Sequence, residues 1–237
     1  MYYIEELFCR LAHGPLRHTS CVDDETPDTI AEDQQSSITL YTNEALTRLH
    51  SRFILMENSV LVEMQEGRTN YPLLKKYAVQ SYDPAEVQDP FIMDLAGEPF
   101  DEDVIKILSV WDSGGSPRPL NDRDKAWSVF TPRPTTLQNN RPRRYEALSV
   151  VYQAKHPKVD CGEGGNGVIE IPETLDAALE AYIMYKAFSV IASQEATVKA
   201  AEMLEKYESV CNEVIEHDLV NSSRTNTGNK FQARGFV

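Results

Sequence analysis

The sequence predicts an α+β fold: a small helical bundle built from N- and C-terminal helices, with an inserted β domain and an extended C-terminal tail. Three observations predict it. Apolar residues recur with the period of amphipathic helices near both ends of the chain. Between these stretches the pattern changes to short apolar runs punctuated by Gly, Pro, Asn and Asp. After residue 218 the chain becomes polar and free of acidic side chains. The expected organisation is residues 1–51 as the N-terminal helices, 52–171 as the inserted β domain, 172–218 as a C-terminal helical hairpin and 219–237 as the tail. A chain of 237 residues is long enough for one or two domains with a sizeable core.

The first helix is expected over residues 2–13, where Ile4, Leu7, Phe8 and Leu11 share one face and Gly14-Pro15 ends the run. Residues 18–35 are polar, acidic and interrupted by Pro27, which reads as a long loop. Ser36 or Ser37 then caps a second helix, with Ile38, Tyr41, Ala45 and Leu49 on one side, running to about Ser51. From Arg52 the period shortens. Residues 53–56 and 59–64 read as a hairpin around a Glu57-Asn58 turn, followed by a turn at Gly67 and a short strand at 71–73. Residues 104–111 form a strong strand ending at Asp112-Ser113-Gly114-Gly115, and 128–130 and 146–152 are further strands. The stretch 81–101, acidic and with three prolines, is expected to be loop with at most short strands. Residues 168–171 are the last strand, and Pro172 opens a helix at the position where proline is tolerated. Leu175, Leu179, Tyr182, Ile183, Val190 and Ile191 make one apolar face. Ser193 recaps the chain, and Ala200, Met203, Tyr207, Cys211, Val214 and Ile215 make a second. Two such helices with a short connection pack as an antiparallel hairpin.

The charge is unevenly spread. The chain carries 23 Lys and Arg against 37 Asp and Glu, a net charge of −14. That excludes a binder that grips nucleic acid generically, since such affinity comes from neutralising phosphates with Lys and Arg. Two segments reverse the sign. Residues 118–144 hold seven basic and two acidic side chains, and residues 219–237 hold three basic and no acidic ones. Basic segments on an acidic body steer and register a partner of opposite potential. No apolar run approaches the roughly 20 residues that cross a bilayer. The N-terminal residues lack the pattern of a secretory leader, so the expected compartment is a cytoplasm.

Motifs for chemistry are sparse. Gly162-Glu163-Gly164-Gly165-Asn166-Gly167 has the G-x-G-x-x-G spacing of a dinucleotide loop, but it precedes a strand instead of opening a helix and reads as a hairpin loop. Cys9, His13, His18 and Cys21 form C-x3-H-x4-H-x2-C, four zinc-competent side chains folded back by Gly14-Pro15. The order is not that of a common zinc finger, and Cys9 falls near the helix's apolar side, so the expected reading is a buried thiol beside exposed histidines. A metal-binding or enzymatic domain built on these four residues is the competing hypothesis. All four cysteines are expected as free thiols. His50, His156 and His217 stand apart in sequence, and the carboxylates are scattered, so no catalytic residue and no cofactor are predicted.

The tail has two open readings. Its polar spacer, residues 221–230, precedes Phe231-Gln232-Ala233-Arg234-Gly235-Phe236-Val237, the layout of a docking peptide that adds backbone to a partner's sheet edge and aromatics to its pockets. Extended, residues 219–237 reach about 60 Å. The other reading is a frayed terminus.

Several of these features resemble the head-to-tail adaptors of tailed bacteriophages, the tail-tube A family of short-tailed phages. They are Leu49-x-x-Arg52-Phe53 leading into the strands, Val104-Ile105-Lys106-Ile107 with Pro119-Leu120 after a glycine turn, Ile171-Pro172-Glu173 opening the helical pair, and the terminal Lys230-Phe231-x-x-x-Gly235-Phe236-Val237. The acidic loops at 18–35 and 81–103 depart from the family texture. The resemblance implies a structural virion protein of the neck, assembled in the host bacterial cytoplasm as a homo-oligomer, a dodecameric ring below the portal protein and above the tail nozzle or tube protein. DNA would pass through its channel without sequence-specific binding, and neither membrane, cofactor nor catalysis is implied. In that setting Arg224, Lys230, Phe231, Arg234, Phe236 and Val237 dock on the portal, and Arg133, Arg141, Arg143 and Arg144 face a neighbouring subunit or the tail. A tail-terminator or other neck protein, ringed as a hexamer, is the related alternative.

Overall fold

In chain order the elements are β1 (Tyr2–Tyr3), α1 (Ile4–His13), α2 (Glu32–Arg52), β2 (Glu57–Glu63), β3 (Asn70–Pro72), β4 (Ile92–Met93), β5 (Val104–Asp112), β6 (Pro117–Arg118), β7 (Phe130–Arg133), β8 (Thr136–Gln138), β9 (Ala147–Ala154), β10 (Val168–Ile169), α3 (Asp176–Ser189) and α4 (Gln194–Glu216). Short 3-10 turns lie at Lys75–Tyr77 and Glu173–Leu175. This computed structural model describes residues 1–14, 16, 17, 19, 21, 22, 28–144, 146–162 and 165–220. The class is α+β, with helices from both ends of the chain. The chain divides into two compact units, one of Met1–Ile54 with His156–Val237 and one of Leu55–Lys155.

In the helical unit, α1 buries Ile4, Leu7, Phe8 and Leu11, the face expected from their spacing. It starts at Ile4 because Tyr2 and Tyr3 pair instead with Ile169 and Val168. The Ile4 N–H continues this bridge by donating to the Gly167 carbonyl at 2.8 Å. The second helix begins at Glu32, ahead of the serines expected to cap it. Glu32 and Asp33 occupy its first turn, where negative charge suits the exposed N–H groups, and the Gln34 and Gln35 N–H groups both donate to the Ala31 carbonyl. Ile38, Ala45, Leu46 and Leu49 make its buried stripe.

Helices α3 and α4 form the helical hairpin. Tyr182 meets Tyr207 at 5.4 Å between ring centroids, and Phe188 lies under Lys199, so late α3 contacts early α4 and the pair is antiparallel. The Ser193 hydroxyl accepts the Ala196 N–H at 3.1 Å and caps α4 as the sequence suggested. The expected α3 face extends too far. The helix stops at Ser189, leaving Val190 and Ile191 exposed, and Ile215 near the end of α4 is exposed too.

The expected β domain ended at Ile171, whereas the compact β unit ends at Lys155. Residues 156–162 and 165–171 pack with the helices through β1–β10 and through Asn43 of α2. The Asn43 side-chain amide donates to the Val159 carbonyl and accepts the Val159 N–H, both at 2.9 Å. It treats an extended segment as a neighbouring strand would.

Two antiparallel sheets make the β unit, one ordered β4-β2-β9-β5-β6 and the other β3-β8-β7. The expected hairpin around Glu57-Asn58 does not form. Those residues open β2, whose long partner is β9, in register from Glu57↔Gln153 to Glu63↔Ala147. The reason is apolar alternation: Val60 and Val62 of β2 and Leu148, Val150 and Tyr152 of β9 all reach the same core, a longer ladder than residues 53–56 offer. Stretch 81–101 contributes only β4, in keeping with its prolines and acids. Tyr71, wholly buried, ties the turn at Gly67 by accepting the Gln65 N–H and donating to the Arg68 carbonyl at 2.7 Å. Gly67 itself sits at φ +80°, where a side chain would be strained.

Candidate interaction surfaces

The loop joining β6 to β7 is tied across its base by hydrogen bonds. Asn121 and Val129 are bridged by backbone bonds to Val129 O and Pro119 O at 2.8 and 2.9 Å, and the Ser128 hydroxyl donates to the Pro119 carbonyl. This frame presents Trp127 at φ +66°, with 45% of its surface exposed. A bulky side chain is costly in that left-handed conformation. Arg143 covers one side of the indole, its guanidinium carbon 4.2 Å from the ring centroid, and Arg118 approaches to 5.9 Å. The two arginines are not equivalent. Arg118 is largely buried and neutralised by Glu146, with Asp112 at 3.6 Å, whereas Arg143 is exposed and forms no ion pair among the described residues. A cleft of about 320 Å³ beside Trp127 is lined by Arg123, Lys125, Phe130 and Arg141.

The four β-unit arginines singled out in the sequence therefore do not act as one cluster. Arg141 lines the Trp127 cleft and Arg143 stacks on the indole. Arg133 is exposed on β7, and Arg144 lines a different groove with Glu63, Glu66 and Asp89.

The β unit also carries an acidic groove of about 630 Å³ along β2 and the β4–β5 connection. Its apolar part is Leu61 and Met93, opposite each other in the β2–β4 ladder and both exposed, with Leu95. Glu57, Glu98, Asp101 and Asp103 surround these side chains. Asp103 is fixed, accepting from the Tyr152 hydroxyl and the Asn58 amide at 2.8 Å each. Burial, and then the Asp103 carboxylate, push the Tyr152 phenol far above its ordinary pKa, so it stays a donor.

At the N-terminus, Cys9 is exposed and not buried as expected, and the His13 Nδ1–H donates to the Cys9 carbonyl, 2.9 Å away. The other His13 nitrogen faces Asp28 at 3.3 Å, Cys21 is half-buried, and His18 lies outside the described residues. Among the described residues no three His, Cys, Asp or Glu side chains are placed to hold a metal ion. Cys211 is buried against Arg52 and Tyr207; burial pushes its thiol up and pushes the Tyr207 phenol to about 12. Beside the glycine-rich segment the Asp160 N–H donates to the Asn166 carbonyl, and Val168–Ile169 form β10, the strand ahead of which the glycines were read as a loop and not as a dinucleotide site.

His50 and His156, which stand apart in sequence, meet edge to face with centroids 5.3 Å apart. The His156 Nε2 accepts the Glu170 N–H at 2.9 Å, which assigns its proton to Nδ1, beside the Pro157 carbonyl. The pair is a packed, hydrogen-bonded part of the helical unit, with burial holding the His156 pKa below its ordinary value. The tail residues Arg224, Lys230, Phe231, Arg234, Phe236 and Val237 lie outside the described residues.

Sequence reasoning missed Trp127 and the groove. The signal for Trp127 was its place inside the basic segment, but its pairing with Arg143 across 16 positions is a product of the fold. The groove was invisible because residues 81–101 read as loop, and only the β2–β4 register sets Met93 opposite Leu61 on the outer face. No protein-family model matches the chain, and no curated protein matches it at a significant level.

Proposed function

We propose that this chain is a structural virion protein, a head-to-tail adaptor of a tailed bacteriophage that joins the portal protein to the tail nozzle or tube protein. The observation that carries the reading is the architecture: helices from both ends of the chain in one unit, a β unit inserted between them, and after α4 a basic segment ending in aromatics. The character of the surfaces supports it. The β unit presents a basic aromatic face and an acidic apolar groove, features suited to protein contacts.

In this reading the chain assembles as a ring, a dodecamer by the family resemblance, in the host bacterial cytoplasm and is carried in the virion neck. The tail docks on the portal through Phe231, Arg234, Phe236 and Val237, with Arg224 and Lys230 supplying charge. The β unit's arginines meet a neighbour or the tail. The acidic excess keeps passing DNA from adhering, and the protein works without cofactor or catalysis. Deleting residues 221–237 and measuring binding to the cognate portal tests the docking: undiminished binding overturns it. Particles lacking the protein that still retain DNA and carry tails overturn the adaptor role.

A further inference from the structure

We infer that the two unlike faces of the β unit bind each other between copies of this chain, the Trp127–Arg143 face of one copy seated on the groove of the next at Leu61, Met93 and Leu95. The proposal deepens the adaptor reading, on which it rests for placing copies side by side, by naming the partner of each face.

The faces are complementary in both charge and apolarity. On one side Trp127 is exposed under Arg143, and among the described residues Arg123, Arg141 and Arg143 form no ion pair. On the other side Leu95 is 70% exposed and Leu61 and Met93 are 44% and 40% exposed, framed by Glu57 and Glu98, which form no ion pair among the described residues. Exposed aromatic and aliphatic side chains inside unpaired charge of opposite sign match the apolar centre and polar rim of a protein interface. A nucleic acid is a poorer occupant for the Trp127 face, because the chain that carries it has a net charge of −14.

Strand register keeps the faces apart. In the order β4-β2-β9-β5-β6, the groove follows the β4–β2 edge, whereas Arg118, beside Trp127, lies on β6 at the other edge. Along the strands, Glu57 and Asp103 mark the Gln153–Ala154 end of β9, and Arg118 pairs with Val110 near the Leu148 end. One copy cannot close the two faces on itself. Contact between copies is then head to tail, a heterologous interface that propagates and closes into a ring when the rotation permits. The unfavourable backbone of Trp127 is offset by what the indole does in that contact.

The test uses the full-length chain in sedimentation velocity at rising concentration, in low and high salt. Wild type is expected to form species larger than a dimer, weakened by salt. Trp127→Ala with Arg143→Ala removes one face and Leu95→Arg blocks the other; all three positions are exposed, and circular dichroism checks that both variants fold. Each variant alone should lose association about tenfold or more. Mixed in equal amounts, they should form a one-to-one dimer and nothing larger, because each retains the face the other lacks. A wild-type chain that stays monomeric, a variant that assembles normally, or a mixture that does not pair overturns the proposal. Salt-sensitive DNA binding lost in the Trp127/Arg143 variant, with no self-association in wild type, also overturns it and gives that face to nucleic acid. Portal binding separates the two readings. A chain that binds portal without self-association refutes only the contact between copies; one that assembles through these faces but ignores portal refutes only the adaptor role.

Discussion

Replacing Asn43 by alanine puts local and tertiary energetics in opposition. Asn43 sits inside α2, where alanine is the better helix former by roughly 0.5 kcal/mol. Helix propensity alone therefore predicts a slightly more stable variant. The structure predicts the reverse, because the Asn43 amide makes reciprocal 2.9 Å bonds to both backbone groups of Val159, a residue only 3% exposed. Each bond contributes about 1 kcal/mol net, and a backbone group left buried without a partner costs about 1–3 kcal/mol. With the propensity gain subtracted and partial access of water to the half-buried site, the expected loss is about 2–3 kcal/mol. Asn43→Asp keeps an acceptor for the Val159 N–H but turns an oxygen toward its carbonyl, so it should not restore stability. Urea unfolding followed at helical wavelengths measures the loss, and hydrogen exchange at the Val159 amide tests its location. A gain in stability, or exchange at Val159 no faster than in wild type, would show that the Asn43–Val159 bonds do not hold this segment.

Arg118→Met removes the cation between Glu146 and Asp112, whose side chains are 13% and 26% exposed, and should destabilise the β unit by about 2–4 kcal/mol, read as a fall in its thermal midpoint. Arg143→Ala, at an exposed site, should cost less than about 1 kcal/mol in the isolated chain while altering Trp127 fluorescence. For His156 the folded pKa lies below the unfolded value of about 6.5, so the unfolded chain binds the proton more readily. The stabilisation is complete above that unfolded pKa and is lost as the pH falls through the folded one; His156→Gln should flatten the acid side of the melting-temperature profile. Thiol titration should find Cys9 reactive, because it is exposed, and Cys211 protected until unfolding, because it is buried with a raised pKa.

The helices were legible because their signal is local. Ile4, Leu7, Phe8 and Leu11 share a face at any helical geometry, and Ser193 caps whatever helix follows it. The strands were legible as segments but not as partners. Residues 59–64 and 146–152 each read as extended, yet nothing in either stretch states that they pair, and the nearer segment at 53–56 looked the simpler partner. A turn inferred at Glu57-Asn58 followed from that nearness. Cys9, placed near an apolar side by spacing, proved exposed, because the width of a buried stripe depends on what packs against it.

Local patterns in the sequence set the class of the fold, the buried face of α1, the segregation of charge into an acidic body with basic segments, and the polar character of the tail. Those properties depend on residues within a few turns of one another. The tertiary structure decided what depends on distant residues: β2 paired with β9, Val159 joined to α2 by Asn43, His50 set against His156, and Trp127 bracketed by arginines. It also decided which apolar residues remain outside. In a strand a shift of one residue exchanges buried and exposed faces, so the exposure of Leu61 and Met93 is a consequence of register, and register is a property of the whole sheet.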